Sequence, residues 1–581
     1  MKMNLLVLPV LLLILTLVFF HKVVLNPDEI IYPAPDTVNM LSSWRLLFSR
    51  TFDTYGELPF WNNYETGGTP FLANILSAMF YPLNILFLVF PTDYVFGFKL
   101  LINAFIAGIS TYLLARQVKL DKYSSFLSAI VYMFSGVFIG RIDIGHEPAI
   151  DVIALTPLVF LLFLKTLDGR SVKYGILTGV VFGLQILAGY LQFSIYSAYL
   201  LIAYFIYHLI ISKEFDKRHL FSNFLLLSIV FITSFFVSAF QLLPSLELSK
   251  YSIQAGTPID YKLLTSEGYS YSLSPEYTIT LLMPDFFGSR VDNTFWARDQ
   301  FEESIAYLGI LPLLLAFLPV FFRRNKYVIF FAIFAFIALF FSYGQHNPLF
   351  PYLHKIILFF DIVRNPGRFL FLFVLSAAML SGFGFNFLME LIKKKNKIGL
   401  TKIIKILFIF SIVAYIGSIG FYLSKNAITD FAENQINNIV KAKSEATSPD
   451  RIGNYVLDFY SKNTHTIAVK AYNHIQLDIN KLLIVFLTTA IILFSAIKFK
   501  IRPAYVSIAL ILLVLFDLWM FGIKYIDVTP LESVYPTNEI IQFISKDYDN
   551  ERFRVLGMNR TMEPRFSTRN NIETLDGVLP P

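Results

Sequence analysis

The chain of 581 residues contains no cysteine. A disulfide framework, a thiolate metal site and a cysteine nucleophile are therefore all excluded, and the compartment has to be argued from topology. Charge is scarce as well: Asp, Glu, Lys and Arg make up 15% of the residues, against roughly a quarter in soluble domains. Hydrophobic residues reach 56%. There is no repeat at a solenoid period and no low-complexity tract. What remains is an all-α polytopic membrane protein. The formal charge of +7 fits a membrane protein whose surplus lies in cytoplasmic loops, with no nucleic acid among its partners.

Apolar runs of about 20 residues, the length that spans a bilayer, begin near Leu5, Tyr94, Ser124, Ala149, Tyr174, Phe193, Phe221, Ile305, Tyr327, Phe369, Ile403, Leu482 and Ala504. That predicts about 13 transmembrane helices. The first run continues through Val23, Val24 and Leu25 without a small-residue cleavage site, so it reads as a retained helix and not a signal peptide. The short connections RQVKLDK, KTLDGRSVK, SKEFDKRH, RRNK, KKKNKIGLTKIIK and KFKIR alternate along the chain and are basic. Positive charge marks the cytoplasmic side. This predicts a multi-pass protein of the cell membrane with its N-terminus inside and its C-terminus outside.

The same topology sends the long loops outward. A membrane domain over 1–524 is expected, with extracytoplasmic loops at 26–93, 244–303, 342–368 and 424–480. Residues 525–581 form a short extracytoplasmic α/β tail that reads as the start of a soluble domain ending early. In the first loop, Thr37 to Phe52 has the spacing of an amphipathic helix lying along the membrane surface. Phe71 to Phe90, interrupted by Pro82, reads as a re-entrant or interfacial element and not a span.

Candidate chemistry lies in these loops. Asp36 opens the surface helix, where it is either an N-cap or a general base; Asp28, Glu29, Asp53, Glu57 and Glu65 are solvated charges or rivals to it. The connection RIDIGHEPAID carries His146 and Glu147, which are either solvated residues or ligands. Adjacent residues lack the i, i+4 spacing of a helical metal pair. Arg364 and Arg368 flank Asn-Pro-Gly at a membrane edge, where arginines either snorkel to lipid headgroups or grip phosphate through paired hydrogen bonds; His354 and Lys355 would add to that field. Asp285 sits in a Pro-Asp-Phe-Phe-Gly turn that is either structural or part of the site. Within the spans, Lys99, Asp151, His208 and Asp517 are too scattered for a proton relay or ion path. No carboxylate spacing specifies a calcium-type loop, so the need for a divalent cation stays open.

The stretch GELPFWNNYETGGTPFLANILSAMFYPLNIL resembles the first-loop signature of the YfhO-like family of bacterial membrane proteins. FQLLPSLELS, SPEYTITLLMPDFFGS, AYLGILPLLLA, VRNPGRFL and FDLWMFGIKYIDVTP follow in that family's order. The resemblance covers nearly the whole chain and departs from the family in the short tail, where relatives have a longer soluble portion and another membrane segment. It implies a GT-C-like fold and a glycosyltransferase that takes sugar from a polyprenyl-phosphate-linked donor outside the membrane. The acceptor it implies would be a cell-surface polymer, such as lipoteichoic acid, or a glycolipid. It places Asp36 as the essential acid ahead of Trp61-Asn62, with Asp28-Glu29 as a rival pair. Arg364 and Arg368 would steady the departing phosphate, His146 would help, and Trp61 and Tyr64 would stack on sugar. Two other classes stay in view: a lipid-linked glycan flippase, and a non-catalytic scaffold of envelope assembly.

Overall fold

The structure is a computed structural model, and it describes residues 7–31, 34–212, 216–251, 271–296, 300–322, 325–357, 360, 365–446, 451–536, 539–548, 553–557 and 564–575. Among the described residues, nine helices are long and apolar enough to cross a membrane: 92–117, 122–144, 147–168, 191–212, 217–249, 366–393, 397–423, 460–498 and 503–525. Four more apolar helices, Val7–Phe19, Val172–Leu187, Ile310–Phe322 and Lys326–Ser342, are shorter. Each of the thirteen predicted runs thus contains a helix. Among the described residues, strands form two small antiparallel pairs, Glu29–Ile31 with Val528–Pro530 and Trp61–Asn62 with Thr69–Pro70.

The bundle is close-packed where the sequence supplies small residues. Gly179 and Gly183, four apart on one face, lie so near the Lys217–Ser249 helix that an added Cβ would meet Thr233 and Val237 at 2.6 Å. Such spacing of small residues lets helix backbones approach in an apolar medium, where dispersion contacts replace the hydrophobic effect. Pro157 inside Glu147–Asp168 cannot hydrogen-bond back to the Ile153 carbonyl, and Tyr132 donates its hydroxyl to that carbonyl at 2.9 Å. Asp517 accepts from the Tyr307 hydroxyl at 2.5 Å, from the Ile310 amide at 2.8 Å and from Lys481 at 2.6 Å. It therefore caps the start of Ile310–Phe322 from a neighbouring helix.

Three expectations are revised. The stretch after Asp36 is a π-helical turn, Thr37–Leu41, followed by an α-helix, Ser42–Tyr55. That helix is no free surface element: Trp44, Leu47 and Phe48 are buried with Phe71, Met79, Phe87 and Phe96. Within the polar stretch 424–480 the described residues form the helix Lys425–Ala446 and the start of Arg451–Lys498, where Ile436, Ile467 and Ala468 fall on facing stripes and bury one another. Lys99 and Asp151 are not scattered, since they meet at 2.9 Å in the bundle interior. Phe71–Phe90 contains only short elements, at Ile75–Ser77, Pro82–Ile85 and Leu86–Val89.

Candidate active site

The helix Gly136–Ile144 ends at Gly145, whose backbone is left-handed at φ +81°. A Cβ there would lie 2.7 Å from the Thr37 nitrogen and 2.9 Å from the Ala34 carbonyl oxygen. Glycine is the residue that permits both the conformation and the approach. Thr37 completes the joint by donating its hydroxyl to the Gly145 carbonyl at 2.9 Å. The segment 34–37 is thereby seated on the turn that carries His146.

This seating brings Asp36 to His146. His146 Nε2 lies 2.6 Å from Asp36 Oδ2, with the imidazole 12% exposed and the carboxylate side chain 40% exposed. The N-cap alternative for Asp36 fails, because the residue has helical dihedrals and its side chain caps no backbone N–H. On the far side of the ring, Arg141 Nη1 stands 3.2 Å from His146 Nδ1. A guanidinium can only donate, so Nδ1 is the acceptor and Nε2 carries the proton given to Asp36.

Behind His146 lies a second layer. Arg141 grips Glu303 with two nitrogens at 3.1 and 2.7 Å, and Arg368 Nε donates to the same carboxylate at 2.9 Å. Burial alone would push the Glu303 carboxyl up, but the two arginines outweigh it and hold the group far below the usual carboxylate range. Arg368 also donates to Gln192 Oε1 at 2.7 Å and lies 4.9 Å over the Tyr190 ring, which itself stands 5.6 Å from the His146 ring. Around His146 the two carboxylates of Asp36 and Glu303 are matched by the two guanidiniums of Arg141 and Arg368.

A third layer is fully internal. Arg45, on the helix after the π turn, donates to Glu147 at 3.3 and 2.9 Å. Glu147 is also bonded to Lys99, which reaches Asp151, while Asn103 donates to Asp151 at 2.6 Å. None of the four charged side chains is more than 8% exposed. Beside this layer lies a cavity of about 40 Å³ lined by Ala34, Thr37, Lys99, Asn103, Gly145 and Glu147 among others.

The remaining candidates lie elsewhere. Asp28 is exposed in the turn before Glu29, and Glu29 is part of the strand paired with Val528–Pro530. Trp61 is 53% exposed, with its indole against Gly68. Asn62 is buried and accepts from the Tyr64 amide at 3.0 Å, whereas the Tyr64 hydroxyl points toward Asn571 at 3.5 Å. Asp285 is held by Lys524 at 2.5 and 2.6 Å, and its amide donates to Asp478 at 3.0 Å. Arg364 and the side chain of His354 lie outside the described residues; Lys355 is exposed.

The structure adds residues that pattern reading passed over. Tyr190 and Gln192 sit in an apolar-looking helix start, and Arg45 lies inside an amphipathic run that gave no sign of burying a cation. Arg290 forms a further polar layer with Asp143 at 3.3 Å and Glu302 at 3.5 Å. Among the described residues, no group of three or more His, Asp and Glu side chains is placed to hold a metal ion.

No protein-family profile matches the sequence, and no curated protein matches it. Solved structures do. ArnT from Cupriavidus metallidurans bound to undecaprenyl phosphate is similar at 11% identity and a TM-score of 0.48, over 97% of this chain and 85% of that one. The same protein in the apo state gives 12% identity and 0.47, over 97% and 84%. The Archaeoglobus fulgidus oligosaccharyltransferase in the apo form gives 12% identity and 0.39, over 98% of this chain and 64% of that one.

Proposed function

We propose that this chain is a GT-C type membrane glycosyltransferase of the YfhO-like kind. It moves a sugar from a polyprenyl-phosphate-linked donor to a cell-surface polymer or glycolipid on the extracytoplasmic face, with lipoteichoic acid as one such acceptor. The observation that carries the reading is the Asp36–His146 pair: a half-open carboxylate whose inner oxygen is fixed at 2.6 Å, directly above a buried layer of two arginines. The first-loop resemblance and the basic short loops supply the donor class and the face.

In the reaction, Asp36 accepts the proton of an acceptor hydroxyl while that oxygen attacks the anomeric carbon. A base in this role has to be ionised and within hydrogen-bonding reach of the acceptor. The hydrogen bond from His146 holds one carboxylate oxygen and leaves the outer oxygen for the acceptor. The C–O bond to the lipid phosphate breaks in the same displacement, with inversion. Arg368, 11% exposed and sharing Glu303 with Arg141, takes the charge of the departing phosphate, since an oriented guanidinium stabilises such charge through paired hydrogen bonds.

The test uses the full chain in vesicles with polyprenyl-phosphate sugars labelled in the sugar. Protein-dependent passage of label into the acceptor fraction is expected. Movement of intact labelled lipid across the bilayer without transfer would replace the reading by a flippase, and neither event across several donors would replace it by a scaffold.

A further inference from the structure

The tail and the first loop grip each other at five points although they are about 500 residues apart in sequence. The strand Val528–Pro530 pairs with Glu29–Ile31, five residues before Asp36. Just beyond it, Val534 is buried against Ile30 and Val38, and the Tyr535 hydroxyl donates to the Val38 carbonyl at 3.1 Å. Arg569 lies 3.6 Å from the Tyr535 ring centre and forks to Asp93 at 2.6 and 3.3 Å and to Ser42 Oγ at 2.8 Å. Arg50 answers from the loop side, donating to the Arg569 carbonyl at 3.0 Å and to Asn571 at 2.9 Å. Last, the Gly67 amide and the Tyr64 carbonyl bond to Thr574, each at 2.9 Å.

We infer that the tail is a positioning strap for the proposed base, with Tyr535 and Arg569 as positioning residues that touch no substrate. Asp36 lies between two held points, the strand at Ile31 and the carbonyl of Val38. The turn that follows it is π-helical, a wider coil than the α-helix that survives where surrounding contacts impose it. Tyr535 bonds that turn from outside, and Arg569 pins Tyr535 by stacking on its ring while anchored to Asp93 and Ser42. A guanidinium suits this task because it is planar and donates in several directions at once. Without the strap the Asp36 turn loses its hold at Val38 and keeps the Thr37–Gly145 joint, the His146 contact and, at its far end, the burial of Leu41 beside Trp44 and Phe71. The carboxylate would then sample more orientations than the one that meets the acceptor.

The inference rests on the proposed reaction for its catalytic part but is tested apart from it. Because the chain has no cysteine, Asn39→Cys places a single thiol in the π turn of the full-length protein. Its maleimide labelling rate is measured in membranes, in the otherwise native chain and with Tyr535→Phe, Arg569→Ala or Arg569→Lys added; sugar transfer is followed in parallel. We expect labelling to rise severalfold with Tyr535→Phe and Arg569→Ala. A transition-state effect that leaves substrate binding untouched should lower kcat about tenfold with KM within about twofold. Arg569→Lys, which keeps the charge opposite Asp93, should recover part of both. A purely architectural tail would instead change the amount of folded protein and leave kcat per folded molecule as it was. Unchanged labelling in Tyr535→Phe and Arg569→Ala overturns the strap whatever the transfer rate, and raised labelling with an unchanged kcat overturns its catalytic part. If labelling rises but the native chain transfers no sugar from any donor, the strap stands and the proposed reaction falls.

Discussion

Arg45 donates twice to Glu147, at 3.3 and 2.9 Å, and Glu147 is the residue that follows His146. The first loop is therefore bolted to the membrane bundle one residue away from the partner of Asp36. The bolt is ionic and buried, with Lys99 and Asp151 completing it, so its four charges are interdependent.

Removing one charge from this layer should be severe. Lys99→Met leaves Asp151 without a cation, and breaking a buried pair from one side costs about 3–5 kcal/mol. We expect a large fall in the thermal midpoint of the purified protein, partly recovered in Lys99→Met/Asp151→Asn, where the charges balance again. Recovery is expected because residues in one network couple. Equal midpoints for the native and Lys99→Met chains would show that the layer contributes little.

His146 is predicted to orient Asp36. His146→Ala removes a hydrogen bond to a charged group, worth about 1.5–3 kcal/mol, so transfer should fall roughly 10- to 100-fold. The loss should appear mainly in kcat, and His146→Gln, which restores an N–H donor, should recover part of it. Steady-state rates for the two variants at matched protein levels decide this.

Glu65 gives a pH dependence. Its carboxyl is buried beside Trp44, which donates to it at 3.1 Å, and burial pushes its pKa up to about 7 from 4.5. The folded protein thus holds this proton where the unfolded chain has released it. The stabilising contribution is full below about pH 4.5 and is lost as pH rises to about 7. Glu65→Gln should flatten the fall of the thermal midpoint across that window, an effect of at most about 3 kcal/mol at 1.36 kcal/mol per pH unit. Parallel midpoint curves from pH 5 to 8 for the two proteins would count against the assignment.

Gly145 is predicted to tolerate no side chain. Gly145→Ala puts a methyl 2.7 Å from the Thr37 nitrogen and imposes a left-handed conformation on alanine. Destabilisation beyond about 1 kcal/mol follows from the dihedral alone. Proteolytic cleavage within the first loop should accelerate in this variant, and a cleavage pattern identical to the native one would contradict the proposed seating.

The helical architecture was legible because composition and run length carry it. Thirteen apolar runs each contain a helix, and the Asn-interrupted stretch at 71–90 does not form one long helix. The failures are physical in origin. Helicity at Lys425–Ala446 was hidden because the helix buries little more than Ile436 and its sequence is otherwise largely polar. Lys99 and Asp151 looked scattered because a pair on neighbouring helices shows no signature along the chain. The partners of the candidate site were legible only as residue types. His146, Asp36 and Arg368 could be singled out for being polar at membrane edges, but Tyr190, Gln192 and Glu303 become their neighbours only through the packing of helices distant in sequence. The tail's hold on the first loop lies beyond any local pattern, since its hydrogen bonds run largely to backbone carbonyls.

The most direct test of the central claim compares sugar transfer from a polyprenyl-phosphate donor by the native chain, Asp36→Asn, Asp28→Asn and Glu29→Gln, each in vesicles at equal folded amount. Loss of a general base costs about 10²- to 10⁴-fold, and that loss is predicted for Asp36→Asn alone, with the other two near the native rate. Native-rate transfer by Asp36→Asn would contradict the account.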